Sequence, residues 1–219
     1  MATRAALRPT PVAHARGVPI LGAMELTTRQ AELADVALGI VGHDGMAAVT
    51  FRSVALASGW SLGAVQKAFS SKEELLRAMF ARLREASGAV PPGEPGRPTL
   101  AGWLTDLMLG MLPLDDRRRT LTLQGSAFSE RAAFDAATGE AIRASDDEIR
   151  GLLAQLVRRA KVEGEVAAEV EADQVAWAYL ALAQGFAAQL LYDPRPENEV
   201  CERVALVVAG LLPFPTPAG

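Results

Sequence analysis

Residues 50–76 read TFRSVALASGWSLGAVQKAFSSKEELL. Thr50, Ser61 and Ser71 each precede a run of helix-forming residues, and their hydroxyls are suited to cap helix N-termini. Gly59 ends the first run, where glycine readily adopts the left-handed conformation of a tight turn. The stretch therefore predicts two short helices joined by a glycine turn, with a third helix behind them. These are the elements of a helix-turn-helix.

The second short helix is predicted to have one open face. Trp60, Val65 and Phe69 are expected to lock it onto its neighbours. The remaining positions suit a DNA groove, because glycine and alanine allow close approach, and glutamine and lysine can bind base edges or phosphates. These outward positions are Leu62, Gly63, Ala64, Gln66 and Lys67.

Helix signals continue on both sides of this stretch. Upstream, Thr27 with Gln30 forms a capping box, and the helix that follows ends at His43-Asp44-Gly45. Downstream, Ser71 with Glu74 forms another capping box and opens a long amphipathic helix. Residues 88–98 then contain four prolines and three glycines, which no regular element tolerates.

Helical periodicity returns beyond this break and persists nearly to the end of the chain. The predicted helices lie at about 100–112, around Leu121 to Phe128, in a long segment ended by Gly164, and at about 172–191 and 197–212.

The sequence therefore predicts an all-α protein of about nine helices. Its expected parts are a disordered leader at 1–24, a helix-turn-helix domain with its connecting helix at 25–87, a Pro/Gly linker at 88–98, a C-terminal helical domain for ligand binding and dimerisation at 99–213, and a tail at 214–219. Both Met1 and Met24 remain possible starts.

Charge is distributed unevenly along the 219 residues. The formal net charge is −4, yet residues 1–84 hold ten Lys/Arg against six Asp/Glu, whereas residues 85–219 hold twelve against twenty. We therefore expect a basic N-terminal functional region and an acidic remainder of the protein. One cysteine and two histidines exclude a disulfide framework and argue against a zinc site, so we predict no metal and no cofactor.

The sequence favours a cytoplasmic protein that does not enter the membrane. The leader contains arginines and lacks a continuous apolar run, so it does not resemble a secretory signal. The most apolar segment, Ala176 to Leu191, is interrupted by Gln184 and Gln189 and is expected to be too short to span a bilayer.

The stretch 50–76 resembles the hallmark of the TetR family of transcriptional regulators. The shared features are a Thr-capped helix with a Val-Ala pair, a glycine before the capping serine, a further glycine, a phenylalanine and a Lys-x-x-Leu sequence. In this chain they are Thr50, Val54, Ala55, Gly59, Ser61, Gly63, Phe69, Lys72 and Leu75. The resemblance covers roughly residues 27–83. It implies a homodimeric repressor that binds palindromic double-stranded DNA and is released by a small apolar or amphipathic effector.

The resemblance also implies which residues contact DNA. Lys72 is expected to bind a phosphate near the N-terminus of the fourth helix, where the helix dipole favours an anion. The full predicted set is Thr50, Arg52, Ser61, Leu62, Gly63, Ala64, Gln66, Lys67 and Lys72. Three positions depart from the family pattern: Gln66 replaces a usual tyrosine, Ala68 stands where an aromatic residue or a histidine is common, and Trp60 replaces a small β-branched residue.

The loss of the tyrosine removes a phosphate contact, and two alternatives therefore remain open. One is a TetR-like dimer that senses a ligand without strong DNA binding. The other is a purely structural helical dimer.

Aromatic and methionine side chains in the C-terminal helices predict a ligand cavity. The candidates are Trp103, Met108, Met111, Phe128, Trp177 and Phe186. The last two helices are expected to form the dimer face, because small side chains on one allow close approach and branched side chains lie on the other. The predicted face comprises Ala176, Ala183, Ala187, Val204, Val208 and Leu211.

Three further patterns have a functional and a structural interpretation. Gly59-Trp60-Ser61-Leu62-Gly63 matches the G-x-S-x-G elbow of hydrolases, but a helix precedes it and both histidines lie upstream, so we interpret Ser61 as a cap and predict no enzyme. We interpret residues 117–119, three arginines, as a solvated face, and Cys201 as a packing residue.

Overall fold

The computed structural model describes residues 25–88 and 99–212, which form nine α-helices and one short 3-10 turn. The helices are α1 (Thr28–Asp44), α2 (Phe51–Ser58), α3 (Leu62–Ala68), α4 (Lys72–Ser87), α5 (Leu100–Met111), α6 (Asp116–Ala132), α7 (Ala136–Val162), α8 (Ala172–Tyr192) and α9 (Glu197–Leu211), and the 3-10 turn is Met46–Ala48. The all-α prediction is confirmed. The predicted leader, nearly all of the linker, and the tail lie outside the described residues.

Local signals set most helix ends. Thr27 and Gln30 cap α1 reciprocally, since Gln30 N donates to Thr27 Oγ1 at 3.3 Å and Thr27 N donates to Gln30 Oε1 at 3.1 Å. Gly59 ends α2 with φ +73°, a conformation that L side chains rarely adopt. Gly164 follows the end of α7 with φ +76°. Asp115 caps α6, which was not predicted from the sequence, and α6 is therefore longer than the expected Leu121–Phe128 segment.

The second capping box is only half formed. Ser71 Oγ accepts from Glu74 N at 3.1 Å, as predicted. The Glu74 carboxylate, however, accepts from the backbone N and the hydroxyl of Ser70, each at 2.7 Å. It therefore satisfies a donor one residue earlier than the motif requires.

Two hydrophobic cores are present, and α6 contributes to both halves of the molecule. The N-terminal core is built from α1 to α4 and includes Phe128 of α6. Gln124, also on α6, donates to the Leu38 carbonyl of α1 at 2.9 Å in a buried position, and Gly42 of α1 allows close approach to Thr120. The C-terminal core comprises α5, α7, α8 and α9. The division of the chain at residues 88–98 stays a prediction, but contacts through α6 join the two cores.

One face of helix α8 packs into the C-terminal core. By length and composition alone it is apolar enough to cross a membrane, contrary to the expectation that this segment is too short. Seven of its side chains are nevertheless buried, and Tyr179 donates to the Leu104 carbonyl of α5 at 2.7 Å. Burial raises the pKa of the Tyr179 phenol, which keeps it a neutral donor.

The interpretation of residues 117–119 as a solvated face holds only in part, because Arg117 is exposed whereas Arg118 and Arg119 are half-buried, and all three donate to backbone carbonyls. Arg117 donates to the Ala86 carbonyl in the last turn of α4 at 2.7 Å. Arg118 donates to the Leu109 carbonyl of α5 at 2.8 Å, and Arg119 donates to the Leu191 carbonyl of α8 at 3.0 Å. Cations are favoured at helix C-termini, where carbonyls lack helical partners. The first turn of α6 thus caps three other helices.

Candidate nucleic-acid interface and ligand cavity

The recognition helix α3 is held by its buried side and open on the other. Val65 and Phe69 have no exposed surface and pack into the N-terminal core. Ser61 Oγ accepts from Ala64 N at 3.2 Å and caps the helix, as predicted. At the other end, Gln30 Nε2 of α1 donates to the Ala68 carbonyl at 2.9 Å.

The predicted DNA-contacting side chains lie on this open side and at the adjacent helix starts. All are exposed except Ala64, which is half-buried. Gly63 has open space where a side chain would stand, so a DNA backbone could approach closely there. Lys72 is the first residue of α4, where unpaired backbone N–H groups favour an anion.

Trp60 does not lock α3 as expected. Its side chain retains 36% exposure and lies on the surface beneath Arg29 of α1, whose guanidinium carbon is 4.3 Å from the ring centroid. The expectation failed because Trp60 precedes the helix, so the helical period does not govern which way it points. Arg29 was not predicted as part of this surface, because its contact with Trp60 becomes visible only in the folded chain.

Most cations of α1–α4 form no ion pair, although Arg77 interacts electrostatically with Glu74. In the part of the chain that the structure describes, six arginines and lysines make neither an ion pair nor a side-chain hydrogen bond. They are Arg29, Arg52, Lys67, Lys72, Arg77 and Arg143. All but Arg143 belong to α1–α4, so positive charge is left unneutralised on this unit.

A cavity of about 1110 Å³ lies between α4, α5, α6, α7 and α8. One part of its wall is apolar and includes Phe80, Leu121 and Leu152, while another part is polar. Asp146 belongs to the polar part, and burial raises the pKa of its carboxyl, although a hydrogen bond from Gln184 opposes the shift. The wall therefore suits a molecule with an apolar body and a polar group.

Helix α4 connects this cavity to the recognition unit, which consists of helices α1, α2 and α3. Phe80, Leu83 and Arg84 of α4 line the cavity. Arg84 pairs with Glu148 of α7 at 2.7 Å, whereas Arg82, two residues earlier, pairs with Asp35 of α1 at 2.8 Å. One helix thus carries ion pairs to both the cavity and the recognition unit.

Of the six predicted ligand-binding residues, only Met111 lines the cavity. Met108 and Phe128 are fully buried in the hydrophobic cores. Trp103 and Phe186 pack against the C-terminal core, and Trp177 is 57% exposed on the outside of α8. The prediction used large apolar side chains, and most of these belong to the core. Many residues of the cavity wall instead have polar or small side chains. The signal that was missed is the shared face of Ile142, Ser145, Asp146, Ile149 and Leu152 on α7.

The predicted dimer residues face inward. Ala176, Ala183, Val204 and Val208 are buried in the chain's own C-terminal core, and Ala187 and Leu211 pack against it. The exposed sides of α8 and α9 instead present an outer face of small and apolar side chains. This outer face comprises Trp177, Ala181, Gly185, Ala205, Leu206 and Ala209.

Within residues 25–88 and 99–212, no group of side chains suited to hydrolysis or metal binding is found. Ser61 follows the end of helix α2 rather than a strand. Among the described residues, no group of three or more His, Cys, Asp or Glu could hold a metal ion.

Comparison with known proteins agrees with this arrangement. The family model of the C-terminal domain of BetI-type transcriptional repressors matches residues 100–212, and that of bacterial regulatory proteins of the tetR family matches residues 33–79. No curated protein sequence matches the chain.

Solved structures share the fold over most of the chain. A transcriptional regulator from Rhodococcus sp. Rha1 is 26% identical, with a TM-score of 0.73, covering 84% of this chain and 96% of that one. A regulator from Saccharomonospora viridis in complex with choline is 17% identical, with a TM-score of 0.70 and coverage of 82% and 95%. The ketosteroid transcriptional regulator KstR2 of Mycobacterium tuberculosis is 17% identical, with a TM-score of 0.55 and coverage of 86% and 96%. The chain belongs to the TetR family of transcriptional regulators.

Proposed function

We propose that this protein is a cytoplasmic, ligand-responsive repressor that binds a palindromic operator as a homodimer, without catalytic activity. The observation that carries the proposal is the open side of α3 together with four exposed cations that form no ion pair, Arg29, Arg52, Lys67 and Lys72. A polyanion would neutralise these charges, and counterion release from DNA favours such binding. Gln66 and Lys67 are exposed on α3 and are suited to bind base edges and phosphates.

A dimer supplies the second recognition helix that an operator requires, since two-fold symmetry lets α3 of each subunit enter successive major grooves. We place the interface on the outer face, because its small side chains allow close helix approach and Leu206 is 75% exposed. Sedimentation of Leu206→Asp should show monomers. Phe134→Asp, at a site 89% exposed in the turn between α6 and α7, should leave the dimer intact and serves as control.

The cavity is the proposed effector site. A small amphipathic molecule there would contact α4 and shift the recognition unit that α4 supports. Coupling of about 1–3 kcal/mol, or 5- to 150-fold in operator affinity, is typical of allosteric proteins. Choline, which the S. viridis regulator binds, is a first candidate to titrate beside longer alkylammonium ions and neutral alcohols. If none changes operator affinity, a constitutive repressor is the better description.

DNA binding is tested with the gene's own upstream region and a scrambled duplex of equal length, by fluorescence anisotropy over a series of salt concentrations. Lys67→Gln and Lys72→Gln should each reduce the slope of log affinity against log salt by about one, as expected for a lost phosphate contact. Arg143→Gln is the matched control, because Arg143 is also exposed and unpaired but lies on α7. Equal slopes in all three variants would contradict the proposed surface.

A further inference from the structure

Two consecutive residues in the first turn of α1 contact opposite ends of the recognition helix. Arg29 stacks over Trp60, 4.3 Å from the ring centroid, just before the α3 cap Ser61. Gln30 donates to the carbonyl of Ala68 at the C-terminal end of α3. The start of α1 therefore lies along α3, and it brings the Arg29 charge to the end of α3 where the helix begins.

The stacked guanidinium keeps its hydrogen-bonding edge available. A guanidinium over an aromatic ring is attracted to the face of the ring without using its N–H groups as conventional hydrogen-bond donors to an oxygen, so the N–H groups of Arg29 stay available. No carboxylate or carbonyl accepts them within the described parts of the chain. Arginine presents these donors in a planar fork that matches two oxygens of one phosphate.

Stacking also orders a side chain that would otherwise sample many rotamers. A long arginine loses conformational entropy when it binds, and prior restraint by Trp60 reduces that loss at the moment of DNA contact. The backbone of Trp60 is fixed between Gly59, which ends α2, and the capping residue of α3, and its N–H donates to the Ser58 hydroxyl at 3.3 Å.

We propose that Arg29, positioned by the Trp60 ring, binds a backbone phosphate of the DNA beside the groove that α3 enters; this inference rests on the proposed function. Arg29 is a phosphate-contacting residue that carries no sequence information. Trp60 is a positioning residue that acts through Arg29. The pair supplies a phosphate contact near the start of α3, while Lys72 supplies one at the start of α4.

The test measures binding of the full-length dimer to the upstream duplex and to the scrambled duplex, with salt varied. Arg29→Gln should reduce the salt slope by about one and weaken binding to both duplexes by the same factor. Trp60→Leu keeps the charge, so the slope should change much less while affinity falls. Arg29→Lys should bind more weakly than the wild type, because an ammonium cannot form the planar fork. Thermal melting followed by circular dichroism checks that each variant folds.

A double variant separates positioning from an independent contact. If Trp60 acts through Arg29, the variant carrying both Arg29→Gln and Trp60→Leu should bind no more weakly than Arg29→Gln alone. Additive losses would overturn the positioning role. A wild-type slope for Arg29→Gln alongside a reduced slope for Lys67→Gln would overturn the phosphate contact and leave the proposed function intact. Failure of the wild type to bind either duplex would overturn both.

Discussion

Helices α1–α4 and the C-terminal helices differ in how their cationic side chains are paired. Most of those in α1–α4 have no hydrogen-bonding partner, whereas nearly all of those in the C-terminal helices have one. Among the described residues from Thr99 onward, every arginine and lysine except Arg143 is held by a carboxylate or a backbone carbonyl. In α1–α4, only Arg82 and Arg84 are held in this way. The difference shows that the formal net charge of −4 says little about DNA binding, which depends on the charges that the fold leaves unpaired.

The first prediction concerns the core that holds the open surface in place. Phe69→Ala should reduce the free energy of unfolding by about 3–5 kcal/mol, because Phe69 is fully buried and its truncation leaves a cavity. Urea unfolding followed by circular dichroism measures the loss. Leu56→Ala is the control, since Leu56 is 85% exposed on α2 and its truncation should cost within about 0.5 kcal/mol. Equal losses would mean that α3 is not anchored as the structure shows.

The second prediction separates paired from unpaired cations. Arg118 forms an ion pair with Asp115 at 2.7 Å and donates to the Leu109 carbonyl. Arg118→Gln should therefore reduce the free energy of unfolding by about 1–2 kcal/mol, while the salt slope of DNA binding stays unchanged. Arg143→Gln, with no partner to lose, should change neither quantity. A smaller salt slope for Arg118→Gln would show that the arginines of α6 also contact DNA.

Predictions from local sequence agreed with the structure where a few neighbouring residues determine the conformation. Thr27, Thr50 and Ser61 all cap helices, and Gly59 adopts the left-handed turn, because caps and turns depend on residues within one helical turn. The recognition helix followed directly from these signals. Its inward residues Val65 and Phe69 were also predicted correctly, since the helical period fixes which side they share.

Sequence and structure differ where a side chain has several possible packing or hydrogen-bonding partners that lie far away in the sequence. Ala176 and Ala183 were predicted to form a stripe at the dimer face, but both residues pack inside the chain. Periodicity identifies a face and does not say whether its partner is the same chain or another. Likewise, the carbonyls capped by residues 117–119 lie 9 to 72 positions away in sequence, and no local pattern encodes such contacts.

The smallest predicted effect concerns Glu74, an acid within the otherwise unpaired cationic surface. Its carboxylate accepts hydrogen bonds from the hydroxyl and the backbone N of Ser70, and these bonds lower the pKa of Glu74 from its ordinary value of 4.5. A group whose pKa is lower in the folded state stabilises the fold above its unfolded pKa, and this contribution is lost as the pH falls through the folded pKa. Ser70→Ala removes the hydroxyl and should raise the pKa of Glu74 toward 4.5.

The stability difference between wild type and Ser70→Ala should therefore be present at neutral pH and shrink as the pH falls below 4.5. Urea unfolding at several pH values measures it, with Glu73→Gln as control because Glu73 makes no hydrogen bond or ion pair within the described chain. A difference that persists in acid would mean that the Ser70 hydroxyl stabilises α4 independently of the Glu74 charge. A difference that vanishes in acid would show that the Ser70 hydroxyl stabilises α4 through the charged Glu74 carboxylate.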